Sequence, residues 1–270
     1  MTDPSPAHVP VMLDQVVHWL DPRPSAVIVD GTVGGGGHTF TLAERVGPAG
    51  LVIGLDRDPA AIAAAGRNLA GMPVTLVQAD FCDLPEVLAQ LDIPEVDGAL
   101  LDLGVSSDQL GDPQRGFSFS SAGPLDLRFD PLSGEPARRL VNRLSAERLA
   151  DLIHRYGEER YSRRIAQAIV EQRHEKPIET AVELAELIRR CVPPTAGGRR
   201  IDPATRTFQA LRIAVNHELR SLEIALRRLP DCLRPQARLA VISFHSLEDR
   251  PVKEAFRGDP RLRVLTPKPV

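Results

Sequence analysis

The sequence predicts an α/β fold, a doubly wound parallel sheet with an all-helical domain inserted into it. Three observations carry this. Short apolar runs that close on or near an acid alternate with helical stretches through the first hundred residues. A glycine-rich turn follows the first of these runs. About 130 residues then separate the fourth run from the fifth, far more than a plain crossover needs.

The elements follow in order. Ala26-Val27-Ile28-Val29-Asp30 is a short apolar run ending in an acid and Gly31. Leu51 to Asp56, Val74 to Val77 and Gly98 to Leu103 repeat that form. None alternates with period two, so each reads as a strand buried on both faces of a parallel sheet. His38 to Val46, Pro59 to Ala70 and Leu84 to Leu91 read as the helices between them. Residues 104–134 are rich in Gly, Ser, Pro and Asp and read as a long structured loop. Phe117, Phe119, Leu125, Leu127 and Phe129 are its apolar anchors, and the rings could equally serve as a stacking surface or a core. Helices are expected around 145–156, with Ser145 as N-cap, and around 158–174 and 179–191. Pro193 to Gly198 reads as a linker. One long helix is expected from about Thr205 to Leu229, and a fifth strand from Arg238 to Phe244. The expected division is residues 1–111 and 206–270 for the α/β domain and 112–205 for the insertion.

Charge divides the same way. The chain of 270 residues has a formal net charge of -3. Residues 1–110 hold 15 acids and 4 bases, whereas residues 111–270 hold 21 acids and 29 bases. An acidic half and a basic half suggest two tasks, the basic one suited to phosphates. No apolar run reaches the roughly 20 residues of a membrane span, and Met1 to Pro10 lacks the pattern of a secretory signal. The three cysteines, Cys82, Cys191 and Cys232, are odd in number and far apart. That spacing fits neither a disulfide framework nor a metal site and points to a reducing cytoplasm. The sequence leaves a homodimer open.

The candidate site begins at Asp30-Gly31-Thr32-Val33-Gly34-Gly35-Gly36-Gly37-His38, where the first strand turns into the first helix. Glycines there let the backbone approach a ligand and present amide groups, although a tight turn alone would also use them. Asp56 ends the second strand, where an acid can accept from both hydroxyls of a ribose. The dinucleotide fingerprint needs a third glycine where Thr39 stands. Asp30, Asp56, Asp80 and Asp102 all fall at strand ends or just beyond. Such a set repels a pyrophosphate and suits S-adenosylmethionine, which carries a sulfonium and an ammonium. Each aspartate could also be a helix cap.

Longer blocks carry a resemblance. They include Asp30 to His38, Leu55-Asp56-Arg57-Asp58-Pro59, Leu101 to Leu110, Arg115-Gly116-Phe117-Ser118-Phe119, Gly123 to Arg128, Tyr156 to Arg160, Pro203 to Arg212 and Ser243 to Arg250. With His8 to Leu13, they run in order from about His8 to Lys253. On these residues the chain resembles the RsmH (MraW) family, bacterial methyltransferases that modify N4 of a cytidine in the decoding region of 16S ribosomal RNA. The resemblance implies a class I, Rossmann-like methyltransferase sheet with an inserted helical substrate-recognition domain. It implies S-adenosylmethionine as cofactor, and 16S rRNA within the small ribosomal subunit as partner. By position, Gly36, Gly37, His38, Asp56, Phe81, Asp102 and Gln109 would contact the cofactor.

The chain departs from the family pattern at Leu127 and Phe129, where Met is usual, and at Asp202, where His is usual. An anion at 202 argues against a phosphate contact there. The family also continues past Lys268-Pro269 into a basic segment with a final strand, so Leu262 to Leu265 is expected either as an unsupported edge strand or as a loose segment. A binding-only protein on a methyltransferase scaffold is therefore the alternative function.

For catalysis, the exocyclic nitrogen must be held in line with the methyl group, because its lone pair is delocalised into the ring. Asp102 is expected to orient the cofactor and accept from the amine, with Ser106 and Ser107 shaping the base pocket. The serines would equally form a turn. Arg160, Arg163, Arg164, Arg199, Arg200, Arg206 and Arg212 are the candidates for phosphates, and His245 for the substrate or a helix cap.

Overall fold

A computed structural model describes residues 10–120, 122–193, 202–266 and 268–270. The chain divides into two compact units, one running up to Ser106 and resuming at Leu219–Val270, the other Ser107–Glu218.

The first unit is built on five strands: β1 (Val27–Asp30), β2 (Leu51–Asp56), β3 (Val74–Gln78), β4 (Val96–Asp102) and β5 (Leu233–Ile242). Their order is β3-β2-β1-β4-β5 and every pairing is parallel. The order reverses between β1 and β4, and such switch points open a crevice at the carboxyl ends of the strands. Register places Asp30 opposite Gly54 and Leu100, Asp56 opposite Gln78, and Asp102 opposite Ile242. The acids at the ends of β1, β2 and β4 therefore share one edge of the sheet.

Successive strand residues serve opposite faces. Ile28, Val52 and Leu100 pack with Val16 and Leu20 of α1 (Leu13–Leu20) and with Leu42, Ala43 and Val46 of α2 (Gly37–Val46). Val29, Ile53, Ala99 and Leu101 pack with α4 (Leu84–Gln90), α11 (Glu218–Arg228) and α12 (Ser246–Gly258). Each fully buried Leu or Ile contributes about 1.5–3 kcal/mol, so the two clusters hold the helices to the sheet. α3 (Pro59–Asn68) begins at Asp58, whose carboxylate accepts from Ala60 N at 2.9 Å, with Pro59 at the first helical position.

The fifth strand starts earlier than expected and ends earlier, at Ile242. Pro235 supplies no N–H, and Gln236 takes a left-handed φ of 72°. The register shifts between Val96, opposite Leu233, and Gly98, opposite Arg238. α1 was not expected, and α12 was expected only as a helix that His245 would cap, without bounds. α12 carries Pro251 inside it, which masks its periodicity in the sequence.

The second unit holds α5 (Ser107–Gly111), α6 (Ala137–Arg143), α7 (Ala146–Gly157), α8 (Ser162–Glu175), α9 (Ala181–Cys191) and α10 (Thr205–Asn216). Ser145 caps α7 through Arg148 N, and Thr180 with Glu183 forms a capping box on α9. The single long helix expected to Leu229 is two helices. His217 closes α10 at a left-handed φ of 54°, and α11 starts after it at Glu218. This unit begins at Ser107, not at 112, and continues through Glu218, beyond 205. The reason is that α10 lies against α7: Gly157 has no room for a side chain beside the Arg206 carbonyl, and Gln209 Nε2 donates to Tyr156 O at 3.1 Å.

The long loop between α5 and α6 is ordered by polar ties. Arg115 Nη2 donates to the carbonyls of Arg128 and Phe129 at 2.9 and 2.8 Å. Asn216 Nδ2 donates to Leu127 O at 2.7 Å, and its Oδ1 accepts from Phe129 N at 2.7 Å. The expected linker from 194 to 198 lies outside the described residues.

Candidate active site

In the first unit the site is a set of loops at the carboxyl edge of the sheet. The β1–α2 loop must pass close to its neighbours. A Cβ on Gly31 would lie 2.5 Å from Leu101 Cδ2 and 3.0 Å from Phe81 Cβ. Gly36, at φ +92°, opens α2 in a conformation that side chains resist. Gly36, Gly37 and His38 thus form the first turn of α2 at the mouth of the crevice.

The four strand-end aspartates divide into two pairs. Asp30 is buried and bonded on both oxygens, accepting from Thr32 N at 3.1 Å and from Thr39 Oγ1 at 2.7 Å. Burial pushes its carboxyl up, and those bonds with the nearby His38 pull it back. Asp80 caps the turn Phe81–Asp83 through Cys82 N at 3.1 Å, accepts from Ser221 Oγ at 2.7 Å, and pairs with Arg57 at 3.5 Å. These two aspartates build the walls.

Asp56 and Asp102 are placed differently. Asp56 accepts from Gly34 N and Asp58 N, each at 2.9 Å, and so fixes the glycine loop against β2. Burial pushes its carboxyl up to about 6 against those two bonds. Asp102 is positioned by its own backbone N–H, which donates to Thr32 Oγ1 at 2.7 Å. Its Oδ2 lies 3.5 Å from His38 Nε2, while its Oδ1 has no hydrogen-bond partner. His38 is 6% exposed, and neither of its ring nitrogens makes a hydrogen bond. Polar atoms left unsatisfied in this way suit a polar ligand that completes them. Phe81 stands just after β3 with its ring partly exposed, beside Gly31.

The glycine cradle, the acidic lining and the partly exposed Phe81 fit an adenosyl group bearing positive charge. They do not fit a pyrophosphate, which would meet Asp56 and Asp102. Ser106 closes the β4 loop, with its Cβ 3.7 Å from the position of a Cβ on Gly34. Ser107 opens α5 and Gln109 is buried in it, both within the second unit.

All three cysteines are free and buried, and burial with Asp80 and Asp83 pushes the Cys82 thiol up to about 12, so it is no nucleophile at neutral pH. Among the described residues no group of acids, His and Cys could hold a metal, and no helix is long and apolar enough to cross a membrane.

The second unit revises several expectations. Phe117 is buried and stacks on Phe129 at 5.9 Å, and Phe119 meets Phe208 edge-on at 5.1 Å. Phe117 is packing, whereas Phe119 and Phe129 make these ring contacts and stay partly exposed. Arg212 forms a two-pronged pair with Glu218 at 2.9 Å on each arm, which removes it from the phosphate candidates. Asp202 pairs with Arg189 at 2.7 Å and accepts from Ala204 N, so the anion in that block is structural. Arg160, Arg163, Arg164 and Arg206 are exposed. Arg199 and Arg200 lie outside the described residues. His245 makes no side-chain capping bond. The buried Glu248, which accepts from Phe244 N at 2.9 Å, was missed; an acid three residues after His245 was its only signal.

The chain matches the MraW methylase family over residues 5–269. It is 52% identical over 262 residues to the ribosomal RNA small subunit methyltransferase H of Syntrophotalea carbinolica, covering 96% of this chain and 83% of that one. It is 48% identical over 293 residues to the protein of the same name from Thermomicrobium roseum, covering 100% and 89%. Among solved structures it is similar to a SAM-dependent O-methyltransferase from Thermotoga maritima, with a TM-score of 0.30 and 25% identity over 37% of each chain.

Proposed function

The chain belongs to the MraW methylase family, and from that premise we propose that it transfers a methyl group from S-adenosylmethionine to N4 of a cytidine in the decoding region of 16S ribosomal RNA, within the small subunit. The observation that carries the reading is the pair Asp56 and Asp102 at the switch point of the sheet. One carboxylate fixes the glycine loop, and the other keeps an oxygen without a partner. Relatives named as small subunit methyltransferases support the RNA substrate.

Bound in this crevice, S-adenosylmethionine would supply an electrophilic methyl group on a sulfonium. The protein's contribution is placement and charge. Asp56 accepts from the ribose hydroxyls, with lone pairs to spare beyond its two amide bonds. Gly36 and Gly37 let the backbone close on the ligand, and the Phe81 ring offers a face to adenine. His38 and Gln109 complete the cofactor contacts. Asp102 balances the positive charge and accepts from the amine hydrogens, so that the nitrogen lone pair faces the methyl group. Charge builds on that nitrogen as the new bond forms, and a carboxylate beside it stabilises the charge and takes up the proton. Ser106 and Ser107 shape the base pocket. The exposed arginines 160, 163, 164 and 206 of the basic half serve the RNA backbone.

Incubation with labelled S-adenosylmethionine and small-subunit particles lacking the modification tests this. Label in the 16S RNA of those particles, and none in already modified ones, is expected. Cofactor binding without transfer would favour a binding-only protein on the same scaffold.

A further inference from the structure

We propose that Phe244 is the stacking platform for the target pyrimidine, an inference that rests on the function proposed above. β4 and β5 run side by side, with Asp102 opposite Ile242 and Leu103 N donating to Ile242 O at 3.1 Å. The chain leaving β5 at Ser243-Phe244 therefore emerges beside the loop that follows Asp102.

Phe244 is 57% exposed there. Phe40, on α2, is the other exposed phenyl among the described residues, at 43%. An exposed phenyl forgoes much of the stabilisation that burial would give it. The turn that carries Phe244 is nonetheless tightly held. Glu248 is 2% exposed and accepts from Phe244 N at 2.9 Å through Oε2. Its Oε1 lies 3.1 Å from His245 Nε2. Burying a carboxylate is unfavourable unless it is hydrogen-bonded, and here the bond it accepts from Phe244 N fixes the backbone of a surface aromatic. A rigid turn presenting a bare ring at the rim of a cofactor crevice suits a flat, uncharged partner. A base that must leave its stack to reach the site is such a partner, because one exposed face finds the ring while its polar edge stays free for Asp102. Glu248 is the positioning residue, and Phe244 makes the contact.

The full chain carrying Phe244→Leu or Phe244→Trp tests this with three readouts. Steady-state transfer to small-subunit particles gives kcat/KM, calorimetry with S-adenosylmethionine gives cofactor affinity, and a decoding-region RNA oligomer with pyrrolocytosine at the target reports stacking through its quenching. Phe244→Leu is expected to lower kcat/KM about 5- to 150-fold, the range set by one lost base–aromatic stack. It should also relieve the quenching and leave cofactor affinity within about twofold, and Phe244→Trp should restore transfer and quenching. Transfer and quenching unchanged in Phe244→Leu would overturn the platform while leaving the proposed function intact. So would a parallel loss of cofactor affinity that Trp does not rescue, since that marks a fold defect. A wild-type chain that binds cofactor, methylates nothing and quenches nothing would overturn both.

Discussion

Lowering the pH from about 7 to about 5 should weaken cofactor binding about tenfold, through Asp56. Burial raises this carboxyl from 3.8 to about 6 in the free protein. Because the folded value lies above the unfolded one, Asp56 favours folding when protonated, and that contribution disappears as the pH rises through about 6. A ligand that donates hydroxyls to the carboxylate and brings positive charge favours the ionised form. If binding returns the group to its ordinary 3.8, the protonated fraction must be given up below about pH 6, at a loss of about tenfold per unit. The affinity is then nearly flat above pH 7 and about tenfold lower at pH 5. Calorimetry in two buffers of different ionisation enthalpy reads both the affinity and the proton released. Close to one proton is expected near about pH 5 and almost none near about pH 7.5. Asp56→Asn should bind more weakly at neutral pH and lose the slope. A wild-type affinity that is flat across this range, or an Asp56→Asn variant with an undiminished slope, would refute the assignment.

Two further changes test the scaffold. Gly31→Ala forces a Cβ against Leu101 and Phe81, at 2.5 and 3.0 Å, so urea unfolding should show a loss of roughly 1–3 kcal/mol, with weaker cofactor binding as Phe81 shifts. Asn216→Ala removes a buried amide that bonds to Leu127 O, Phe129 N and Arg212 O. Leaving those groups unsatisfied should lower stability by about 2–4 kcal/mol and speed hydrogen exchange in residues 115–129, while the amides of β1 to β4 exchange as before.

Much of the sheet is legible because parallel strands buried on both faces read as apolar runs, and β1, β2 and β4 end on the aspartates that mark the crevice. The fifth strand is less legible, since Pro235 and the left-handed Gln236 break its pattern before Arg238. The break at His217 leaves no mark, because the leucines of α11 continue the apolar spacing of α10 although they pack in the other unit. Position along the sequence places four aspartates together but cannot divide them. That division depends on partners far away in the chain, such as Ser221 for Asp80 and Thr32 for Asp102. For Arg212 the partner is near, since Glu218 six residues on takes both arms of its guanidinium, but charge alone does not mark the pairing. Phe117, Phe119 and Phe129 read equally as platform or core until their contacts with one another and with Phe208 are seen.

The central claim is that a cofactor crevice governed by Asp56 and Asp102 methylates a cytosine amine in small-subunit RNA. The most direct measurement is nucleoside mass spectrometry of 16S RNA from unmodified particles treated with the full chain and S-adenosylmethionine. The account predicts one N4-methylcytidine per particle, in the decoding region, and its loss with Asp102→Asn. Methylation on carbon or on a ribose, or an Asp102→Asn variant with full transfer, would contradict it.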